Sequence, residues 1–201
     1  MNRLTRNLLP FAVSLAFALP AIAQDQDAPQ MTAQQQAEME AYIKAGTPGP
    51  AHAELAKSAG DYDLRIRSWY EPGGDAVVET GTATRKMVLG GRVLVEDMSS
   101  QMMGQPFTGH AMHGYDNVTG KHWSTWNDSM STGLMVSEGS CNEEHACTFT
   151  GSWMDPVKKT EVSSRMTTRR TGPDTEVFEM YGPGADGKEF KMMEITYTRK
   201  P

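Results

Sequence analysis

From Gly60 onward the chain runs in segments of roughly 8 to 12 residues, rich in Thr, Val, Tyr and Trp and separated by clusters of Gly, Pro, Asp and Asn. Ten such segments begin near Asp61, Val77, Arg92, Phe107, Lys121, Thr132, Ala146, Thr160, Thr175 and Glu189. Pro72-Gly73-Gly74, Gly90-Gly91, Gly104-Gln105-Pro106, Asp116-Asn117, Asp155-Pro156, Gly172-Pro173 and Ala185-Asp186-Gly187 supply turns between them. Short turns join antiparallel neighbours, so the pattern predicts a meander of ten strands. Exposed strand edges invite aggregation, and closing the sheet into an up-and-down barrel removes them. The predicted fold class is therefore all-β, with a lipocalin-like antiparallel barrel over residues 59–201. Barrels of about eight strands already hold a small ligand, and ten leave more room, so a cavity is expected.

The residues before Gly60 follow other rules. Arg3 and Arg6, an apolar stretch from Leu8 to Leu19 and Ala21-Ile22-Ala23 form a cleavable secretory signal, with cleavage expected after Ala23. A stretch of about a dozen apolar residues is too short to span a bilayer, which takes roughly 20, and no second one follows. The cleavage site also has no cysteine for lipid attachment. A soluble periplasmic or secreted protein is expected. Residues 24–58 form a leader: Thr32 and Gln35 make a capping-box pattern for a helix to Ala45. Gly46-Thr47-Pro48-Gly49-Pro50 ends it, and a second short helix is expected over about Ala51 to Ser58.

Charge and cysteine usage narrow the picture. The formal net charge is −6, and it becomes −8 once the two signal arginines are removed. That argues against nucleic acid or anionic lipid as partners, because both are bound by basic patches. Cys141 and Cys147 in an exported chain read as a disulfide, whose short loop would contribute about 2.4 kcal/mol in the chain-entropy model. Methionine is the commonest large apolar residue after the signal, with 14 Met against 5 Leu and 3 Ile. Soft core filler, an adaptable apolar pocket and a thioether copper site are the three readings of that bias. His110 and His113 flank Met112 but point to opposite faces of a strand, so no metal site is assigned.

Several acids share strand parity with apolar residues: Leu94-Glu96-Met98, Val136-Glu138, Val177-Glu179-Tyr181 and Met192-Glu194. Where such a face turns inward the carboxylate needs a partner, and Arg65, Arg85, Arg92 and Arg165 are available. In Trp123-Ser124-Thr125-Trp126-Asn127-Asp128, one face carries Ser124, Trp126 and Asp128, an indole beside a carboxylate that could line a pocket. Gly182-Pro183-Gly184-Ala185-Asp186-Gly187 spells G-x-G-x-x-G, but strand patterns on both flanks make it a hairpin turn rather than a dinucleotide loop. No motif assigns a catalytic residue.

Leu89-Gly90-Gly91-Arg92, Gly104-Gln105-Pro106-Phe107, Gly114-Tyr115-Asp116-Asn117, Ser124-Thr125-Trp126 with Asp128-Ser129, Asp155-Pro156 and Glu194-Ile195-Thr196-Tyr197-Thr198-Arg199 together resemble a bacterial family classed as domain of unknown function 1579. The resemblance runs from about Gly49 to the C-terminus. It implies a lipocalin-like, calycin-type barrel and no established activity. Among the matching positions, Arg92, Tyr115, Trp126, Asp128 and Tyr197 are candidate ligand-binding groups, with Glu194 added from strand parity. Haem-binding relatives of this barrel class use a histidine near the last strands, and residues 189–199 contain none. No cofactor is assigned.

Three functions fit these residues. The leading one is non-enzymatic binding of a small, mainly apolar molecule in the barrel. The others are an enzyme with Asp128 or Glu194 as base beside Arg92 or Tyr197, and a protein-interaction module with a filled barrel. Oligomeric state is not legible.

Overall fold

The computed structural model describes residues 31–157 and 159–201. The expected signal over 1–23 lies outside the described residues. Two helices, α1 (Ala33–Gly46) and α2 (Pro50–Ala56), precede ten strands: β1 (Gly60–Ser68), β2 (Val77–Val88), β3 (Val93–Met102), β4 (Gln105–Asp116), β5 (Lys121–Asp128), β6 (Met135–Cys141), β7 (Cys147–Met154), β8 (Glu161–Arg170), β9 (Thr175–Pro183) and β10 (Glu189–Arg199). Each strand pairs antiparallel with its sequence neighbour, and β1 pairs with β10, from Tyr62 opposite Arg199 to Ser68 opposite Met193. The sheet is a closed up-and-down barrel with no free edge.

Alternation decides what faces the lumen. In β1, Tyr62, Leu64 and Ile66 are buried while Asp61, Asp63 and Arg65 between them are exposed, the period-two pattern of a strand with one wet face. Phe107 and Ala111 in β4, Met98 in β3 and Ile195 and Tyr197 in β10 are buried too. With Ala83 and the β1 residues, most of them form the apolar core, against which Trp126, Phe178 and Met193 pack. The β6 strand starts at Met135 rather than near Thr132. Asn127 Nδ2 donates to Gly133 O at 2.9 Å and Gly133 N donates to Ser131 Oγ at 2.9 Å, which commits those residues to a loop. Cys141 and Cys147 lie directly opposite in register and form a disulfide that ties the ends of the β6–β7 hairpin.

The leader is fastened to one end of the barrel by polar contacts to the helix ends. Thr32 and Gln35 make the reciprocal capping box. At the other end of α1, Asn117 Nδ2 donates to the carbonyls of Ala45 and Thr47 at 3.0 and 2.8 Å, and Arg92 Nε donates to Gly46 O at 2.8 Å. These carbonyls are unpaired in a free helix, so the contacts satisfy groups that need partners. The segment after α2 is held by Arg199, whose guanidinium donates to Ala59 O and Lys57 O at 2.5 and 2.6 Å and lies over the Tyr62 ring. We expect Arg199→Ala to lower stability by about 1 to 2 kcal/mol, since two charge-assisted bonds at a half-wet site are lost. Limited proteolysis should then cut the 57–60 segment sooner than in the wild type; unchanged cleavage there would show that the clamp is dispensable.

Candidate functional site: the barrel cavity

A cavity of about 1260 Å³ occupies the barrel and extends to the underside of α2, where Pro50, Ala51, Glu54, Leu55 and Ser58 contribute to its wall. Pockets for drug-sized ligands span about 300 to 1,000 Å³, so this one has room for a sizeable molecule. Its apolar wall includes Met98, Met102, Met135, Met166, Met180 and Met193, together with Leu94, Phe107, Phe149 and Phe178. Part of the methionine bias of the sequence falls in the lumen, where unbranched thioethers fit irregular space, while Met31, Met39, Met103 and Met112 are exposed outside it.

On β5 the inward face carries His122, Ser124, Trp126 and Asp128, opposite Tyr115, His113, Ala111 and Gly109 of β4. Gly109 matters for a steric reason: a Cβ there would overlap Trp126 Cη2 and Cζ2, so the indole lies flat against bare backbone. Trp126 stacks on Phe107 with ring centroids 6.4 Å apart and 21° between planes, and its Nε1 donates to Asp128 Oδ2 at 2.9 Å. Asp128 Oδ1 also accepts from Met130 N at 2.9 Å. An aromatic wall panel is thus fixed by one carboxylate.

Toward the α2 end, the lumen turns polar. Arg85 Nε donates to Glu96 Oε2 at 2.5 Å and Nη1 to Glu176 Oε1 at 2.9 Å. Tyr197 Oη donates to Glu96 Oε1 at 3.1 Å. The guanidinium carbon lies 4.1 Å from the Tyr197 ring centroid and 5.1 Å from that of Tyr62. Burial works against the charge on Arg85, but Glu96 and Glu176 outweigh it and hold its pKa well above the ordinary value. Burial and the Glu96 carboxylate raise the Tyr197 hydroxyl well above the usual tyrosine range. His113 faces this cluster, and burial lowers its pKa; burial and the nearby His52 lower that of His122. Tyr115 bridges His122 to His52 on α2, with centroids 4.9 and 5.9 Å away.

Four of the six candidate residues, Tyr115, Trp126, Asp128 and Tyr197, line the cavity. Arg92 does not: it sits in the β2–β3 turn and binds the end of α1. Glu194 is also outside. It alternates with the buried Ile195 and Tyr197, so it faces outward, where Lys191 Nζ at 2.5 Å and Arg67 Nη1 at 3.3 Å neutralise it. Among the parity groups, Leu94-Glu96-Met98 turns inward. Val136-Glu138 turns outward, as Val136 is 51 % exposed. Glu179 also turns outward, bonded to Lys191 Nζ at 2.8 Å. Glu176 is the acid of the buried cluster that sequence reasoning missed, as it missed the lining acids Glu54 and Glu79. The face of β9 that carries it, Glu176-Phe178-Met180, is no more apolar than the face with Val177 and Tyr181, so alternation gave no signal for it. No group of three or more potential metal ligands occurs among the described residues.

Ten antiparallel strands closed around a methionine-lined cavity with a buried ionic cluster define a lipocalin-like barrel protein. The chain belongs to the family described as protein of unknown function (DUF1579), which matches residues 47–199. No curated protein matches the sequence. Among solved structures it is similar to the crystal structure of Rv2717c from M. tuberculosis, at 13 % identity and a TM-score of 0.58 over 77 % of this chain and 100 % of that one. At that identity the likeness is one of fold. Among the described residues no helix is long and apolar enough to cross a membrane.

Proposed function

We propose that the chain is exported to the periplasm or beyond, loses its first 23 residues, and carries a small, mainly apolar molecule in the barrel without transforming it. The observation that supports this reading is the cavity of about 1260 Å³ with its methionine and aromatic wall. A filled barrel acting only as an interaction surface would leave no such space. The disulfide fits an oxidising compartment. The enzyme alternative, with Asp128 or Glu194 as base beside Arg92 or Tyr197, is less well supported: Glu194 and Arg92 lie outside the cavity, and both oxygens of Asp128 already accept hydrogen bonds, from Trp126 Nε1 and Met130 N.

Native mass spectrometry of the mature protein, purified from its compartment without denaturation, tests the carrier reading. The expected result is an added mass that disappears on unfolding and identifies the ligand class. A clean mass for the disulfide-bonded chain, with no uptake of apolar probes afterwards, would overturn it.

A further inference from the structure

The lumen is apolar along most of its wall and charged at one end, and the sign of that end bears on what enters. Arg85 is the basic side chain of the inner cluster, only 7 % exposed, and it is already neutralised twice, by Glu96 and by Glu176. Its faces are covered by the Tyr62 and Tyr197 rings. An incoming anion therefore meets no free guanidinium in the inner cluster, since Arg169 is exposed at the rim. The other lining cations, Arg169 and Arg170, lie at the end of β8, where Arg170 is bonded to Glu54 at 2.7 Å.

The carboxylates are less well served. Two of them share one guanidinium, and the second oxygen of Glu176 meets only the Ser58 hydroxyl, at a long 3.4 Å. Arg170 Nη2 reaches that same hydroxyl at 3.4 Å rather than the carboxylate. Arg199 is held by main-chain carbonyls. Glu176 nevertheless has a side chain only 15 % exposed. A carboxylate withdrawn from water without a full partner is unfavourable, and a hydrogen-bond donor carrying positive charge would complete it.

On the carrier reading above, we infer that the ligand is an amphiphile whose head group is a protonated amine or comparable cationic donor, seated at Glu176, with its apolar tail along the methionine wall. Fatty carboxylates are the molecules this end rejects. The uncharged His113 imidazole beside the cluster adds no competing positive charge near neutral pH.

Three probes of equal tail length separate the possibilities: dodecylamine, dodecanol and dodecanoate, each kept monomeric and titrated calorimetrically into the mature protein at neutral pH. The expected order is amine, then alcohol, then carboxylate, with the first and last about tenfold apart or more. Glu176→Gln should shrink that gap severalfold. Glu138→Gln, which removes an outward carboxylate 64 % exposed, should leave it unchanged and so controls for the acidic surface. Dodecanoate binding as tightly as the amine, or E138Q acting like E176Q, overturns the head-group assignment while the carrier reading stands. Failure of all three to bind overturns both. The wild-type ranking needs no variant, so an unfolded E176Q would not blunt the test.

Discussion

Replacing Arg85 by methionine is expected to lower the stability of the barrel by about 3 to 5 kcal/mol at neutral pH, the range for stranding one partner of a buried ion pair. Glu96, with a side chain only 3 % exposed, would keep the Tyr197 hydroxyl as a donor but lose its counter-ion, and Glu176 would lose its charged partner as well. The pH dependence identifies the cause. In R85M two carboxylates stand buried without their counter-ion, a cost carried by their negative charge. Acid removes that charge, so the deficit should be largest at neutral pH and narrow steadily on acidification. The wild type moves the other way. His113 and His122 have folded pKa values lowered from the ordinary histidine value, so their contribution is present above about 6.5 and is lost as pH falls through the folded values. Urea denaturation of both proteins between neutral pH and the carboxylate range checks this. A deficit under about 1 kcal/mol at neutral pH, or one that does not narrow in acid, would show that the cluster is not the anchor proposed.

Much of this architecture is legible in the residues because a meander is a local object. Turn clusters such as Gly90-Gly91 and Gly104-Gln105-Pro106 mark the strand ends, and β2, β5, β9 and β10 start where the pattern places them. Side-chain direction was legible only where a strand contrasts its two faces. Leu94, Glu96 and Met98 alternate with Val95, Asp97 and Ser99, and Glu96 is buried to 2 % as the face with Leu94 and Met98 suggests. In β9 the residues Val177 and Tyr181 alternate with Phe178 and Met180, so both faces are apolar and parity carries no information. The register against β8, where Met166 sits opposite Met180, decides it. Arg92 shows a different limit. Its partner is Gly46 O, a helix-end carbonyl 46 residues earlier, and no local pattern reports a contact of that kind.

The same long-range logic explains why the cavity is lined as it is. Ser137, Gly151 and Ser164 follow one another across β6, β7 and β8, and all three are buried. Methionine fills the space left above them: a Cβ on Gly151 would meet Met166 Cε at 2.8 Å. Small residues in the wall and flexible residues over them leave the lumen shape dependent on thioether rotamers rather than on backbone. That arrangement suits a site that adapts to a tail more than one that shapes a transition state, which needs rigid groups.

The rigid part of the wall is the Trp126 panel, and Gly109→Ala tests it. One methyl group at position 109 would overlap the six-membered ring of Trp126. The indole has no flexible end to bend away, so it must leave the backbone, break its 2.9 Å bond to Asp128 and lose its stack on Phe107. Overpacking of this kind costs about 1 to 3 kcal/mol, and the displaced ring projects into the cavity. G109A should therefore combine lower stability with a shifted tryptophan emission and at least a tenfold loss in uptake of apolar probes. Adding Trp126→Leu should recover stability, because the overlap is gone, while the aromatic panel and its carboxylate bond stay missing. If G109A bound probes like the wild type, the Trp126 panel would be a structural filler and the ligand would lie against the methionines alone.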